Sequence, residues 1–120
     1  MLSLPASMHA MLATTSSKCL PEGMPTLMAA LFPIQIIHDD KQVVVLGEYL
    51  QQVRRILLNE AMPPKEKLDP KYQGHSRGHW EGDTLVVETQ RVRTDVTFYD
   101  VPHSEAMTIT ERIRLKGPDH

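Results

Sequence analysis

The sequence predicts a mainly β domain, either a small antiparallel barrel or a curved sheet, with one or two short helices near the N-terminus. Three observations predict it. Residues 74–92 read as strand, two-residue turn and strand, with Gly82-Asp83 as the turn pair. The run Val43-Val44-Val45-Leu46 is rich in strand formers. Residues 106–115 alternate apolar and polar side chains, the period of a strand with one buried face.

Taken in order, residues 1–18 carry little pattern and read as a loosely ordered segment with room for a short helix over Met8–Thr14. Residues 19–120 read as a single β-rich domain. Cys19-Leu20-Pro21-Glu22-Gly23-Met24-Pro25 is a turn segment stiffened by two prolines. Thr26 is placed to N-cap a short helix over Leu27–Leu31, which Phe32-Pro33 ends. Ile34–His38 is a strand, Asp39-Asp40-Lys41 a turn, and Gln42–Tyr49 a second strand expected to be buried on both faces. Gln52–Leu58 fits either a helix or a strand returning on the one before it, and the strand is preferred. Asn59–Gln73, rich in proline and lysine, is a surface connection. Residues 93–102 are irregular, with Phe98 and Tyr99 as anchors. A last strand over Ala106–Leu115 precedes a short tail.

The central hairpin fixes its own register. With Gly82 and Asp83 in the turn, Glu81 faces Thr84, Trp80 pairs with Leu85, and Gly78 with Val87. Trp80, Leu85, Val87, Gly74 and Gly78 then share one face, expected to be core. His75, Arg77, His79, Glu81, Thr84, Val86 and Glu88 share the other.

Bulk properties bound the function. A chain of 120 residues with net charge -2 and no basic run gives no case for nucleic acid. No apolar stretch is long enough to span a membrane. The single cysteine cannot form an internal disulfide. Residues 1–18 lack the charge and apolar run of a signal peptide. Seven methionines and six aromatic residues point to an adaptable aliphatic interior.

Two groups of residues could carry chemistry. In the last strand Met107, Ile109, Glu111, Ile113 and Leu115 share a face, so Glu111 is a carboxylate in an apolar row. Glu48 stands in the same position relative to Val44, Leu46 and Leu50. Burying a bare charge costs several kcal/mol unless it is paired. Arg54 and Arg55 point to opposite faces of a strand, so one of them points inward. Glu48, Glu111 and that arginine are expected to form one network; a structural ion pair that sets register is the plainer reading, and a ligand anchor the functional one. The second group is the histidines. His75, His79 and His103 are the metal candidates, fit for a divalent transition metal. On a strand His75 and His79 lie ~13 Å apart, so a shared metal needs a bulge at Gly78. Solvated histidines are the plainer reading. There is no Gly-x-Ser-x-Gly nucleophile and no phosphate-cradling glycine loop.

Residues 74–89 resemble the hallmark Gly-[His/Asp]-Ser-x-Gly-x-Trp-Glu-Gly-Asp-Thr-Leu-Val-Val-x-Thr of a family of small bacterial proteins of unknown function, frequent in soil and metagenomic sequences. The segments around residues 19–25, 54–56, 102–105 and 110–112 are also similar, so the resemblance covers residues 19–115. It implies a hairpin turn after Arg54-Arg55-Ile56, where this chain has Asn59-Glu60-Ala61 in place of Asp-Gly-Arg. It also implies an exported bacterial protein. Members continue past the last strand, which implies a missing closing strand here and a homodimer across an open edge. The resemblance supplies no activity.

Two functions follow from the residues. The first is a small-molecule-binding domain, an apolar pocket walled by Trp80 with Glu48, Arg55 and Glu111 as polar anchors. The second is a small hydrolase, lyase or isomerase in which His79, His103, Glu105 and Glu111 exchange protons, with or without a metal. An interaction module with a solvated charged face ranks third.

Overall fold

The computed structural model describes residues 20–29, 31–96 and 101–117. The expectations for residues 1–18, for Cys19, and for Phe98 and Tyr99 lie outside the described residues. The described chain runs α1 (Thr26–Ala29), β1 (Ile34–His38), β2 (Gln42–Gly47), β3 (Gln52–Leu58), β4 (His75–Glu81), β5 (Thr84–Gln90) and β6 (Thr108–Ile113), with short 3-10 turns at Tyr49–Gln51 and Lys65–Lys67.

The six strands form one sheet in chain order. It is mainly β as expected, and it is an open sheet rather than a barrel. Four of the five strand pairs are antiparallel, and β3 and β4 run parallel. The mainly antiparallel expectation holds, and the parallel β3–β4 pair is its one departure, in place of the hairpin expected after Arg54-Arg55-Ile56. The connection between Leu58 and His75 has the length of a crossover, which a parallel neighbour requires and a hairpin does not. Only three register pairs join the two strands, Ile56 with Ser76 through Leu58 with Gly78. The ambiguous segment is a strand. The second strand stops at Gly47, and its Val43 and Val45 are buried while Val44 and Leu46 are half-buried, so it has one core face rather than two.

Turn chemistry sets the hairpins. Asp39 Oδ1 accepts the backbone N–H groups of Lys41 (2.7 Å) and Gln42 (2.9 Å). Those bonds hold its carboxyl below the usual 3.8. Gly82 takes φ +61°, and the β4–β5 register is the one read from the sequence, from Glu81 with Thr84 to Gly78 with Val87.

Because paired residues share a face, the register defines one inner face from β2 to β6. Val43, Val45, Ile56, Leu58, Leu85 and Val87 form its core. At one end it is covered by α1 and the loops, where Met24, Leu27, Val92 and Val96 make a second cluster. Met28 packs against both. Gly47 permits this cover, since a Cβ there would lie 2.5 Å from Leu27 Cδ1. Thr26 is the first residue of α1 and not its side-chain cap, for its buried Oγ1 makes no hydrogen bond. Gln52 fastens the cover: its Oε1 accepts from the Gly23 backbone N–H (3.0 Å) and from Gln73 Nε2 (2.8 Å).

Between the two clusters lies a buried cation. Arg54, 1% exposed, is the inward arginine. Its guanidinium leaves β3 and donates to Ser76 Oγ on β4 (3.2 Å), to Thr89 Oγ1 on β5 (2.9 Å), and to both carboxylate oxygens of Glu111 on β6, Nη1 lying 3.1 Å from Oε1. Ser76 and Thr89 bond one another at 2.7 Å. The expected network therefore exists, with two corrections. Arg55 is on the opposite, exposed face, and Glu48 is an exposed turn residue outside it.

Removing one partner of a buried ion pair strands the other. Arg54→Met is expected to lower the unfolding free energy by about 3–5 kcal/mol. Arg55→Met, one residue away on the outer face, is expected to stay within about 0.5 kcal/mol. Urea denaturation of both variants checks this, and equal losses would contradict the assignment of Arg54 as the structural partner.

Candidate functional site

α1 covers only one end of the inner face. At the other end the face is open and forms a groove of about 750 Å³. Its floor is Val43, Val45, Ile56 and Leu85, and its walls include Ile36 from β1 and Ile113 from β6. Residues from all six strands line it. β1 and β6 are five strand intervals apart, ~24 Å in a flat sheet. A single groove touching both requires the sheet to curl around this face. The ring contact between His38 on β1 and Trp80 on β4 reports the same curl, with centroids 5.9 Å apart and planes inclined at 63°.

Trp80 is 45% exposed, a large surface for an inner-face residue. The sequence placed it in the core; it stands instead at the mouth, where the cover ends. His38, Asp83 and Arg114 supply the polar rim. The volume falls in the ~300–1,000 Å³ range of small-molecule sites, and the largely apolar lining with few polar groups matches their composition.

The residues read from the sequence as ligand anchors are not gathered here. Trp80 lines this groove, Glu111 is committed to Arg54, Arg55 faces the other side of the sheet, and Glu48 lines a shallow depression beside Ile34 and Gln51.

The proposed acid–base and metal residues are also separated. His79 projects from the outer face and bonds Glu81 Oε1 (3.1 Å), whose other oxygen accepts from Arg112 Nη2 (2.7 Å). His75 meets the Asp69 carbonyl (2.7 Å) and His103 the Ser104 carbonyl (3.2 Å). Glu105 pairs with Arg91 at 3.3 Å. β4 is a regular strand paired along its whole length, without the bulge at Gly78 that a shared metal needed. Among the described residues no three His, Cys, Asp or Glu side chains are grouped to hold a metal ion. The set His75, His79 and His103 is thus corrected to three separately hydrogen-bonded rings. Among the described residues, no two of His79, His103, Glu105 and Glu111 share a hydrogen bond or ion pair: each is bonded elsewhere.

Ser76 and Thr89 were missed as members of the buried network. The signal existed: they share parity with Gly78 and Val87 on the hairpin's inner face, as the Ser76–Thr89 pairing confirms.

Comparison of the chain with family models, curated proteins and solved structures returns no match.

The Arg112 guanidinium, and after it His79, holds the exposed Glu81 carboxyl below its usual 4.5. A depressed carboxylate contributes stability above its unfolded pKa and loses it as pH falls through the folded value. The expected result by NMR titration is a Glu81 midpoint below 4.5 that rises in Arg112→Gln. An unchanged midpoint in that variant would remove Arg112 as the cause.

Proposed function

We propose that the protein is a small-molecule-binding domain whose ligand is neutral and largely apolar and lies in the inner-face groove against Trp80. The carrying observation is that the sheet curls to enclose aliphatic side chains of five strands yet leaves their open end uncovered, with the half-exposed indole of the sixth, β4, beside it. Burial of apolar area supplies the binding energy, at ~25 cal/mol per Å² removed from water. The rim groups fix orientation. The acid–base reading has no comparable support, since its residues share no cleft.

Trp80 is the only tryptophan, so its emission reports on this groove alone. Titration with Nile red, a neutral apolar dye, is expected to quench Trp80 and saturate at one dye per chain. Ile36→Asn and Ile113→Asn are expected to weaken binding about tenfold each, equivalent to ~1.4 kcal/mol. Non-saturable dye uptake, or uptake indifferent to both substitutions, would sink the proposal.

A second copy of the chain is the occupant we propose for the β1 edge. The bonds Asp39 N–H to Gln42 O and Glu48 N–H to Pro33 O fix the alternation of the β1–β2 ladder. By that alternation Gln35 and Ile37 are bonded inward, while Ile34, Ile36 and His38 aim their backbone N–H and C=O groups outward. All five β1 residues are exposed, three of them isoleucine, and no described strand pairs with the outer side. Such an edge invites antiparallel pairing with itself. Sedimentation equilibrium is expected to show a dimer that Ile36→Pro reduces to monomer, since proline removes an outward N–H. A wild-type monomer at hundreds of micromolar would refute it.

A further inference from the structure

The outer face carries a groove that none of the preceding argument uses. It is about 920 Å³ and opens over the β3–β4 seam, where the strands share only three register pairs. Its lining holds Arg55, Lys71, Arg77 and Arg93, four cations, and no aspartate or glutamate. The whole chain is net negative at -2. Four of the chain's thirteen Lys and Arg residues line this one concavity.

The backbone enforces the gathering. Leu57 pairs with Arg77 across the parallel seam, so Arg55 and Arg77 are diagonal neighbours on one face, roughly 7–8 Å apart at Cα. Lys71 is clamped beside Arg93 by two backbone bonds, its N–H to the Arg91 carbonyl and its carbonyl from the Arg93 N–H, each 3.0 Å. Like charges this close repel unless an anion lies between them.

Their commitments differ. Arg93 is spent on Asp95, with bonds of 2.6 and 2.8 Å, and lies 4.4 Å above the Tyr72 ring. The hydrogen bonds to Asp95 raise the Arg93 pKa, and that carboxylate already neutralises the Arg93 charge. Arg77 donates Nη1 to the Ser76 carbonyl (3.1 Å) and its Nε stands 3.9 Å from Glu60, beyond hydrogen-bond range. That Nε is buried and makes no hydrogen bond. Among the described residues the Arg55 guanidinium and the Lys71 ammonium make no side-chain bond. Buried polar atoms without partners are rare and call for an explanation.

We infer that this groove is a second, anion-binding site, and that its ligand is a phosphomonoester carried on a small apolar body. Two arginine forks and an ammonium exceed what one carboxylate needs and match the two negative charges and three acceptor oxygens of a phosphate. Leu50, Val53 and Leu57 give the rest of the ligand an apolar bed. The site is on the opposite face of the sheet from the Trp80 groove and stands or falls apart from it.

The test is calorimetric titration of the full chain with phenyl phosphate at fixed ionic strength, with benzoate and inorganic phosphate as companion probes. Phenyl phosphate is expected to bind one per chain, inorganic phosphate more weakly, and benzoate at least tenfold more weakly. Arg55→Gln and Arg77→Gln are each expected to lose tenfold or more in affinity. Arg112→Gln, an outer-face arginine away from this lining, is expected to keep wild-type affinity. Matched thermal melts establish that the variants fold. The NMR signal of Arg77 Nε–H is expected to shift on adding phenyl phosphate. Absence of phenyl phosphate binding at millimolar concentration, or affinity equal in wild type and both groove variants, would overturn the site. Benzoate binding as tightly would overturn the assignment to a phosphate dianion.

Discussion

One guanidinium organises this sheet. Arg54 starts on β3 and reaches the hydroxyls of β4 and β5 and the carboxylate of β6, so a single side chain couples four consecutive strands. The coupling matters most at the β3–β4 seam, which three register pairs alone would hold weakly. A cation buried to this degree is tolerated only if its donors find acceptors, and Ser76, Thr89 and Glu111 provide them from three separate strands. Slipping β4, β5 or β6 by one residue would turn its acceptor to the outer face and strand the charge. The network therefore specifies register as much as it stabilises.

The same network divides the inner face. On one side α1, the Pro-rich turn and the loops after β3 and β5 build a second apolar cluster, fastened through Gln52. On the other side nothing described covers the sheet, and curvature alone shelters the aliphatic floor around Trp80. The closed end and the open end are consequences of one arrangement: the polar centre stands between the cover and the groove, and Met28 packs against the apolar clusters on both sides of it.

The outer face is governed by the parallel seam. A crossover replaces a hairpin between β3 and β4, so the connecting chain returns across the sheet end and brings Lys71 and Tyr72 against Arg93. Arg55 and Arg77 share that face because the seam pairs Leu57 with Arg77, and Arg55 lies two residues from Leu57. The histidines that stand out in the sequence have a smaller part. His79 completes an exposed Glu81–Arg112 pair, and His75 anchors the connection at Asp69.

Local chemistry by itself determined the mainly β class, the Gly82-Asp83 hairpin with its register, the Asp39 turn, and the oddity of Glu111 in an apolar row. Each depends on neighbours in the chain: turn geometry, or the period-two alternation of side chains. The tertiary structure alone decided which arginine is buried. Arg54 shares its face with Gln52, Ile56 and Leu58, while Arg55 lies between Val53 and Leu57, so the two faces of β3 are almost equally apolar and alternation gives no preference. Only the partners on β4, β5 and β6 break the tie. The parallel pairing, the curl that makes one groove from six strands, and the exposure of Trp80 are of the same kind. They depend on how strands distant in the chain are laid together and on where the cover stops, and neither is encoded within any one segment.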